Sequence, residues 1–171
     1  LARTGRAQDF SFAETKHPAL HPGQTAAIFD GEKPVGLMGA LHPELQRKLG
    51  IPNAVFVFEL EREALLVANS PAFTPVSRFP EVRRDLAVVV NRDVPVAALC
   101  STVHKAAGEC LVNLKVFDVY VGEHIESTRK SVALGLTFQQ ASRTLNEAEI
   151  VEWVDAVIAA LNSEHGAALR N

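Results

Sequence analysis

Cysteine is scarce: Cys100 and Cys110 are the only two in 171 residues. Two thiols build neither a disulfide framework nor a zinc site unaided, and this usage fits a reducing cytosol. Long apolar runs are missing. Leu86 to Val90 is typical of those present, far short of the ~20 residues that span a membrane. A dominant charge is missing too, with 17 Lys and Arg against 20 Asp and Glu and a net charge of -3. That excludes bulk electrostatic capture of nucleic acid but not local recognition by geometry. The first residues, Leu1-Ala2-Arg3-Thr4-Gly5-Arg6, hold no apolar segment of the kind a signal peptide needs, and they read as the middle of a longer chain. There is no G-x-S-x-G, P-loop or Rossmann glycine pattern, and the carboxylates are scattered, so no catalytic constellation is visible. What is present is 47% hydrophobic and 22% charged residues, enough to pack one domain or two small ones.

The chain divides at Asn69-Ser70-Pro71-Ala72-Phe73-Thr74-Pro75, where two prolines and polar residues make a linker over 70–76. In the first part Phe10 and Phe12 alternate with polar residues. Gln24–Phe29 and Val35–Leu41 flank Asp30-Gly31 and read as a hairpin. Pro43 suits the first position of a short helix and Gly50 its end. Val55–Leu60 is a further strand. Residues 1–65 do not make a complete domain by themselves.

The second part predicts strand, helix, strand, strand, helix and short strand. Arg83–Asn91 is strand-like. Val96, Leu99, Cys100, Val103 and Ala107 form a helical stripe that stops at Gly108, which places Cys100 in the core. Leu111–Val121 and Lys130–Gln139 are strands. Thr144 to Glu147 has the spacing of a capping box before a stripe of Ile150, Val154, Val157, Ile158 and Leu161. Gly166–Leu169 is the last strand. This β-α-β-β-α-β order is the ferredoxin-like motif, an α+β fold with both helices on one face of an antiparallel sheet.

Strand parity then assigns the faces. Leu86, Val88 and Val90 point inward, as do Val132, Leu134, Leu136 and Phe138, and so do Phe117, Val119 and Val121. The opposite face carries Arg83, Asp85, Ala87, Val89, Asp118, Tyr120, Ser131, Ala133, Gly135, Thr137 and Gln139. Small, polar and charged side chains around one aromatic suit a stacked, hydrogen-bonded base.

Ser77-Arg78-Phe79-Pro80, Arg83-Arg84-Asp85-Leu86-Ala87-Val88-Val89-Val90, Phe117-Asp118-Val119-Tyr120, Lys130-Ser131 and Ser142-Arg143-Thr144-Leu145 resemble, in order, the ferredoxin-fold anticodon-binding domain. His17-Pro18-Ala19-Leu20-His21-Pro22-Gly23, His42-Pro43-Glu44-Leu45 and Val57-Phe58-Glu59-Leu60 resemble the end of the catalytic-like module of the bacterial-type phenylalanyl-tRNA synthetase β-subunit family. The resemblance covers nearly the whole chain. It implies that residues 1–69 are the antiparallel tail of a class II synthetase-like, non-catalytic module and that 77–171 are the anticodon-binding domain. It implies a cytoplasmic (αβ)₂ heterotetramer that joins phenylalanine to its tRNA, with catalysis, ATP and magnesium belonging to the α subunit and the full enzyme. No cofactor is expected in this part of it, and no membrane partner.

By the same resemblance Asp118, Tyr120 and Ser131 contact the first anticodon base. A carboxylate accepts from guanine N–H groups and a tyrosine ring stacks. Arg78, Arg83 and Arg84 are candidate phosphate contacts, set against pairing with Glu81, Asp85 or solvent. Lys130 and Arg143 are weaker candidates of the same kind, and Phe79 beside Pro80 reads as a packing anchor. His17 and His21 have the spacing of a metal pair on a helix, but Pro18 and Pro22 argue against that helix. Two other readings of the second part stand beside this one: an amino-acid-sensing regulatory domain, although Val94-Pro95 lacks the glycine-rich loop expected there, and a purely structural assembly domain.

Overall fold

In the computed structural model, residues 1, 4–68, 73 and 75–170 are described. They form two compact units, Leu1–Thr74 and Pro75–Asn171. The linker expected over 70–76 falls largely on residues 70–72 and 74, outside the described residues.

The first unit is a four-stranded antiparallel sheet, β1 (Phe10–Glu14), β2 (Leu20–Asp30), β3 (Lys33–Leu41) and β4 (Phe56–Leu60), in that spatial order. The Asp30-Gly31 turn joins β2 to β3, and Gly31 takes the left-handed φ of 60° that the turn demands. Helix α1 (Pro43–Lys48) starts where Pro43 predicts. His42 caps it, its ring nitrogen Nδ1 accepting from the Glu44 amide at 3.2 Å. His17 and His21 use the same device, accepting from the amides of Ala19 and Gly23 at 3.2 and 3.0 Å. Helix α2 (Arg62–Leu66) supplies Ala64 to a small core with Phe10, Ile28 and Val35.

The second unit runs β5 (Val82–Asn91), α3 (Val96–Ala107), β6 (Leu111–Tyr120), β7 (Arg129–Phe138), α4 (Glu147–His165) and β8 (Ala168–Leu169). Its sheet is ordered β6-β7-β5-β8 with all pairings antiparallel, as the ferredoxin-like reading requires. Val88, Val90, Val132, Leu134, Leu136 and Phe138 face the helices, and none exposes more than 1% of its surface. They meet Leu99 and Val103 of α3 and Ile150, Val157 and Leu161 of α4 in one continuous core. Trp153 stacks on Phe138 with ring centroids 5.6 Å apart, placing it at the edge of that core.

Three local expectations change. The α4 cap is Asn146, not Thr144: the Asn146 side chain accepts from the Glu149 amide at 2.9 Å, and Glu149 accepts from the Asn146 amide at 3.1 Å. Two boxes offset by two residues compete here, and the one that buries Ile150 one turn in is formed. Cys100 is half-buried and lies off the packed core, while Thr102 on the other flank of α3 is buried; Cys110 packs against the core. Burial pushes the Cys100 thiol pKa up.

The third change concerns β6. Val116 pairs with Leu134 and Asp118 with Ala133, so Phe117 is an extra residue, a bulge. Its side chain therefore leaves the core face. Val119 keeps its parity opposite Val132 but stays half-exposed, and Val121 lies beyond the strand end and is exposed.

Candidate nucleic-acid interface

The face of the second sheet that carries no helix is built in rows, because directly paired residues share a face. One row is Lys115, Gly135 and Asp85. The next is Asp118, Ala133 and Ala87. The last is Tyr120, Ser131, Val89 and Ala168. The middle strand, β7, contributes only small residues to these rows, and they form a low floor between side chains reaching in from both edges.

Tyr120 stands at the β6 edge, 37% exposed. Its hydroxyl donates to the Glu123 carbonyl at 3.3 Å. Gly122 makes room for the ring: a Cβ there would lie 2.5 Å from the hydroxyl. Asp118 is exposed and makes no ion pair among the described residues. Ser131 shares their face, yet it is only 3% exposed. The reason is Arg170. That residue follows β8, is held by its amide N–H donating to the Ala87 carbonyl at 2.9 Å, and reaches across the floor. Its Nη1 comes 3.5 Å from Ser131 Oγ, and its guanidinium lies 5.4 Å from the centre of the Tyr120 ring. A cleft of about 260 Å³ opens beside it, lined by His124, Glu126, Arg129 and Arg170 among others.

A second pair lies along the same face. Arg83 donates from Nε to Asp85 at 2.8 Å and crosses Gly135, so that its guanidinium sits 5.7 Å from the centre of the Phe117 ring. A Cβ on Gly135 would come 3.0 Å from Arg83 Nη2. A glycine in the floor leaves the guanidinium this close approach, which a side chain there would crowd by a few tenths of an ångström.

Of the other cations singled out from the sequence, Arg84, Lys130 and Arg143 are not brought to this face. Arg84 has core-side parity and donates from Nη2 to both carboxylate oxygens of Glu147 at 2.6 Å. Lys130 pairs with Val90 and donates to the carbonyls of Arg92 and Val94 at 2.9 and 2.6 Å. Desolvation lowers its pKa, and Arg92 adds to this while Asp93 opposes it. Arg143 forks onto Glu149 at 2.8 and 2.5 Å, beside the start of α4. That hydrogen bond, helped by the Asn146 amide, pulls the Glu149 pKa down to about 2. Arg78 is exposed just ahead of β5. Phe79 is half-buried, its amide donating to Ser77 Oγ at 3.1 Å and its carbonyl accepting from Gln139 at 2.8 Å, as an anchor should.

Residues 77–170 match the family model described as the ferredoxin-fold anticodon binding domain. The chain belongs to this family. Residues 1–62 match a second model, the phenylalanyl tRNA synthetase beta chain CLM domain. The chain is similar to the phenylalanine–tRNA ligase beta subunit of Coxiella burnetii, 48% identical over 162 residues, which is 94% of this chain and 20% of that protein. It is 46% identical over 170 residues to the same subunit of Pseudomonas fluorescens, 99% of this chain and 22% of that protein. For Vibrio cholerae the figures are 44% over 171 residues, 100% and 22%. The chain thus spans about a fifth of the length of these relatives.

Three residues of this anticodon-binding-family sheet escape a reading by strand parity. Phe117 is hidden by the bulge, although the apolar parity does change there, from Leu114 and Val116 to Val119 and Val121. Lys115 shares the row of Gly135 and is exposed without an ion pair among the described residues. Arg170 follows the shortest strand and belongs to no motif; only the pairing of β8 beside β5 carries it to Tyr120.

Proposed function

We propose that the open face of the β6-β7-β5-β8 sheet binds the anticodon of a tRNA for phenylalanine. In this role the chain supports the ATP-dependent attachment of phenylalanine by a ligase in which it works with an α subunit as an (αβ)₂ assembly in the cytoplasm. The observation that carries the reading is the row geometry. A carboxylate with no ion pair among the described residues and a tyrosine ring stand side by side over a floor of small residues, on the face of this family's sheet that no helix covers.

The chemistry follows from these groups. A purine stacks on the Tyr120 ring, since stacking of a base on an aromatic is favourable for any base. Asp118 then chooses among bases, because its carboxylate only accepts hydrogen bonds, and guanine presents N–H donors along its edge. Arg170 stands on the tyrosine already. An incoming base either stacks on its guanidinium or displaces it, and displacement also uncovers Ser131. Arg83 and Arg170 offer planar cations to the phosphates of the same strand. Binding energy gathered here holds the acceptor end of the tRNA in a distant catalytic site and disfavours tRNAs with another anticodon.

Among the described residues no group of three or more His, Cys, Asp or Glu is placed to hold a metal ion, and no step of this recognition is routed through one. No helix among the described residues is long and apolar enough to cross a membrane.

The test is a salt-series titration with two anticodon stem-loops, one carrying the phenylalanine anticodon and one changed at its first base. Binding that weakens with salt and with the base change supports recognition on this sheet. In the assembled ligase, Tyr120→Ala or Asp118→Ala lowers aminoacylation and leaves amino-acid activation nearly unchanged; an equal fall in both contradicts the proposal.

A further inference from the structure

We propose that Phe117 and Arg83 form a second nucleobase-stacking position, which takes the nucleotide next to the one held on Tyr120. This rests on the anticodon reading above and adds a subsite to it.

The bulge in β6 spends a residue to put a phenylalanine where strand alternation would bury it. Phe117 is 47% exposed and does not join the packed core, whose β6 members are Leu111, Leu114 and Val116. A bulge of this kind re-aims a side chain, and such bulges are enriched beside functional sites. The ring is not left bare. Arg83 lies across Gly135 to reach it, its Nε fixed by Asp85 at 2.8 Å and its guanidinium 5.7 Å from the ring centre. Lys115, in the same row as Gly135, adds a cation free of ion pairs among the described residues.

Phe117 and Arg83 thus repeat the arrangement of Tyr120 and Arg170: an aromatic from β6, covered by an arginine that has crossed a floor of small residues from the far side of the sheet. A flat ring, a flat cation and a loose ammonium together match a base and its phosphate. Phe117 carries no polar atom, so this position stacks without choosing among bases, while Asp118, between the two rings in sequence, does the choosing. The two ladder steps from Asp118 to Tyr120 alone set the bulge and Tyr120 about 7 Å apart along the strand. Stacked bases step only ~3.4 Å, so a strand that covers both rings is splayed, as single-stranded loops are on other sheet platforms.

The test uses the ligase assembled from full-length β and α subunits and tRNA transcripts that are abasic at one anticodon position at a time. Phe117→Leu keeps an apolar side chain but removes the flat ring. It is expected to lower kcat/KM for intact tRNA about ten-fold and to leave amino-acid activation unchanged. Its loss should vanish on a transcript abasic at the base next to the first anticodon position and persist on one abasic at the first position. Tyr120→Ala should show the reverse pattern. A Phe117→Leu loss below two-fold, or one that is the same on every abasic transcript, or an equal fall in activation, overturns the second position. If instead the Tyr120→Ala loss is the same on every transcript, the reading of the first base on Tyr120 fails, and the Phe117 result still stands or falls by its own pattern.

Discussion

The two faces of the second sheet use arginine in opposite ways. Toward the helices, Arg84 and Arg143 are forked onto Glu147 and Glu149 in the first turn of α4. There the carboxylates also favour the positive end of the helix dipole. These pairs tie strand and loop to a helix start. On the open face, Arg83 and Arg170 lie flat over Phe117 and Tyr120. Arg83 keeps one carboxylate partner and Arg170 has none among the described residues. A cation already forked onto a carboxylate has little left to offer a phosphate, whereas one resting on a ring exchanges it for a base at small cost. The sequence neighbours Arg83 and Arg84 fall on opposite sides of this division by strand parity alone.

The largest expected effect separates packing from recognition. Leu134→Ala removes a side chain that is 0% exposed at the centre of the core face, and it should cost about 2–5 kcal/mol by denaturant unfolding. Its neighbour Ala133, one residue along and on the other face, pairs with Asp118. If Leu134→Ala left stability intact and changed anticodon discrimination, the division of labour between the faces would be wrong.

A smaller effect sharpens the open face. Gly122→Ala leaves Tyr120 in place but demands the space its hydroxyl occupies. The ring must swing about its side-chain torsions, which is cheap for folding, so unfolding free energy should change by no more than about 0.5 kcal/mol. First-base discrimination should fall several-fold, less than in Tyr120→Ala, read by stem-loop titration. Unchanged discrimination would show that ring position on this face is not what the base senses.

Much of this is legible in the sequence alone. The strict alternation of Val132, Leu134, Leu136 and Phe138 marks a strand buried on one side, and the stripes on α3 and α4 mark what covers it. Asp118 and Tyr120 share a face because one residue separates them, and the bulge precedes both. Phe117 escapes strand alternation because a single extra residue reverses parity for everything before it. The partners of the arginines are hidden from sequence for another reason. Long flexible side chains select partners by register, and Arg84 meets a glutamate 63 residues away. A cation near the anticodon motif is therefore no guide to whether it is free. Cys100 shows the same limit on a helix, where a stripe one residue too wide takes in a side chain that lies just off the packed core.

The smallest effect tests the helix-side arginines by pH. Glu149 titrates near 2 in the folded chain because Arg143 and the Asn146 amide both hold its anion, against 4.5 ordinarily. A carboxyl whose folded pKa is depressed contributes stability that is fully present above its unfolded pKa. That contribution is lost as the pH falls from about 4.5 through about 2. Glu149→Gln keeps an oxygen that can accept from the Asn146 amide and removes only the charge. The variant should lose stability at neutral pH and approach the parent chain toward pH 2, so that the acid limb of the unfolding profile flattens in that window. Anticodon discrimination should not move at any pH where both fold, because Arg143 serves the start of α4 and not the open face. A parallel loss of discrimination would put the helix-side arginines back among the RNA contacts and erase the contrast between the two faces.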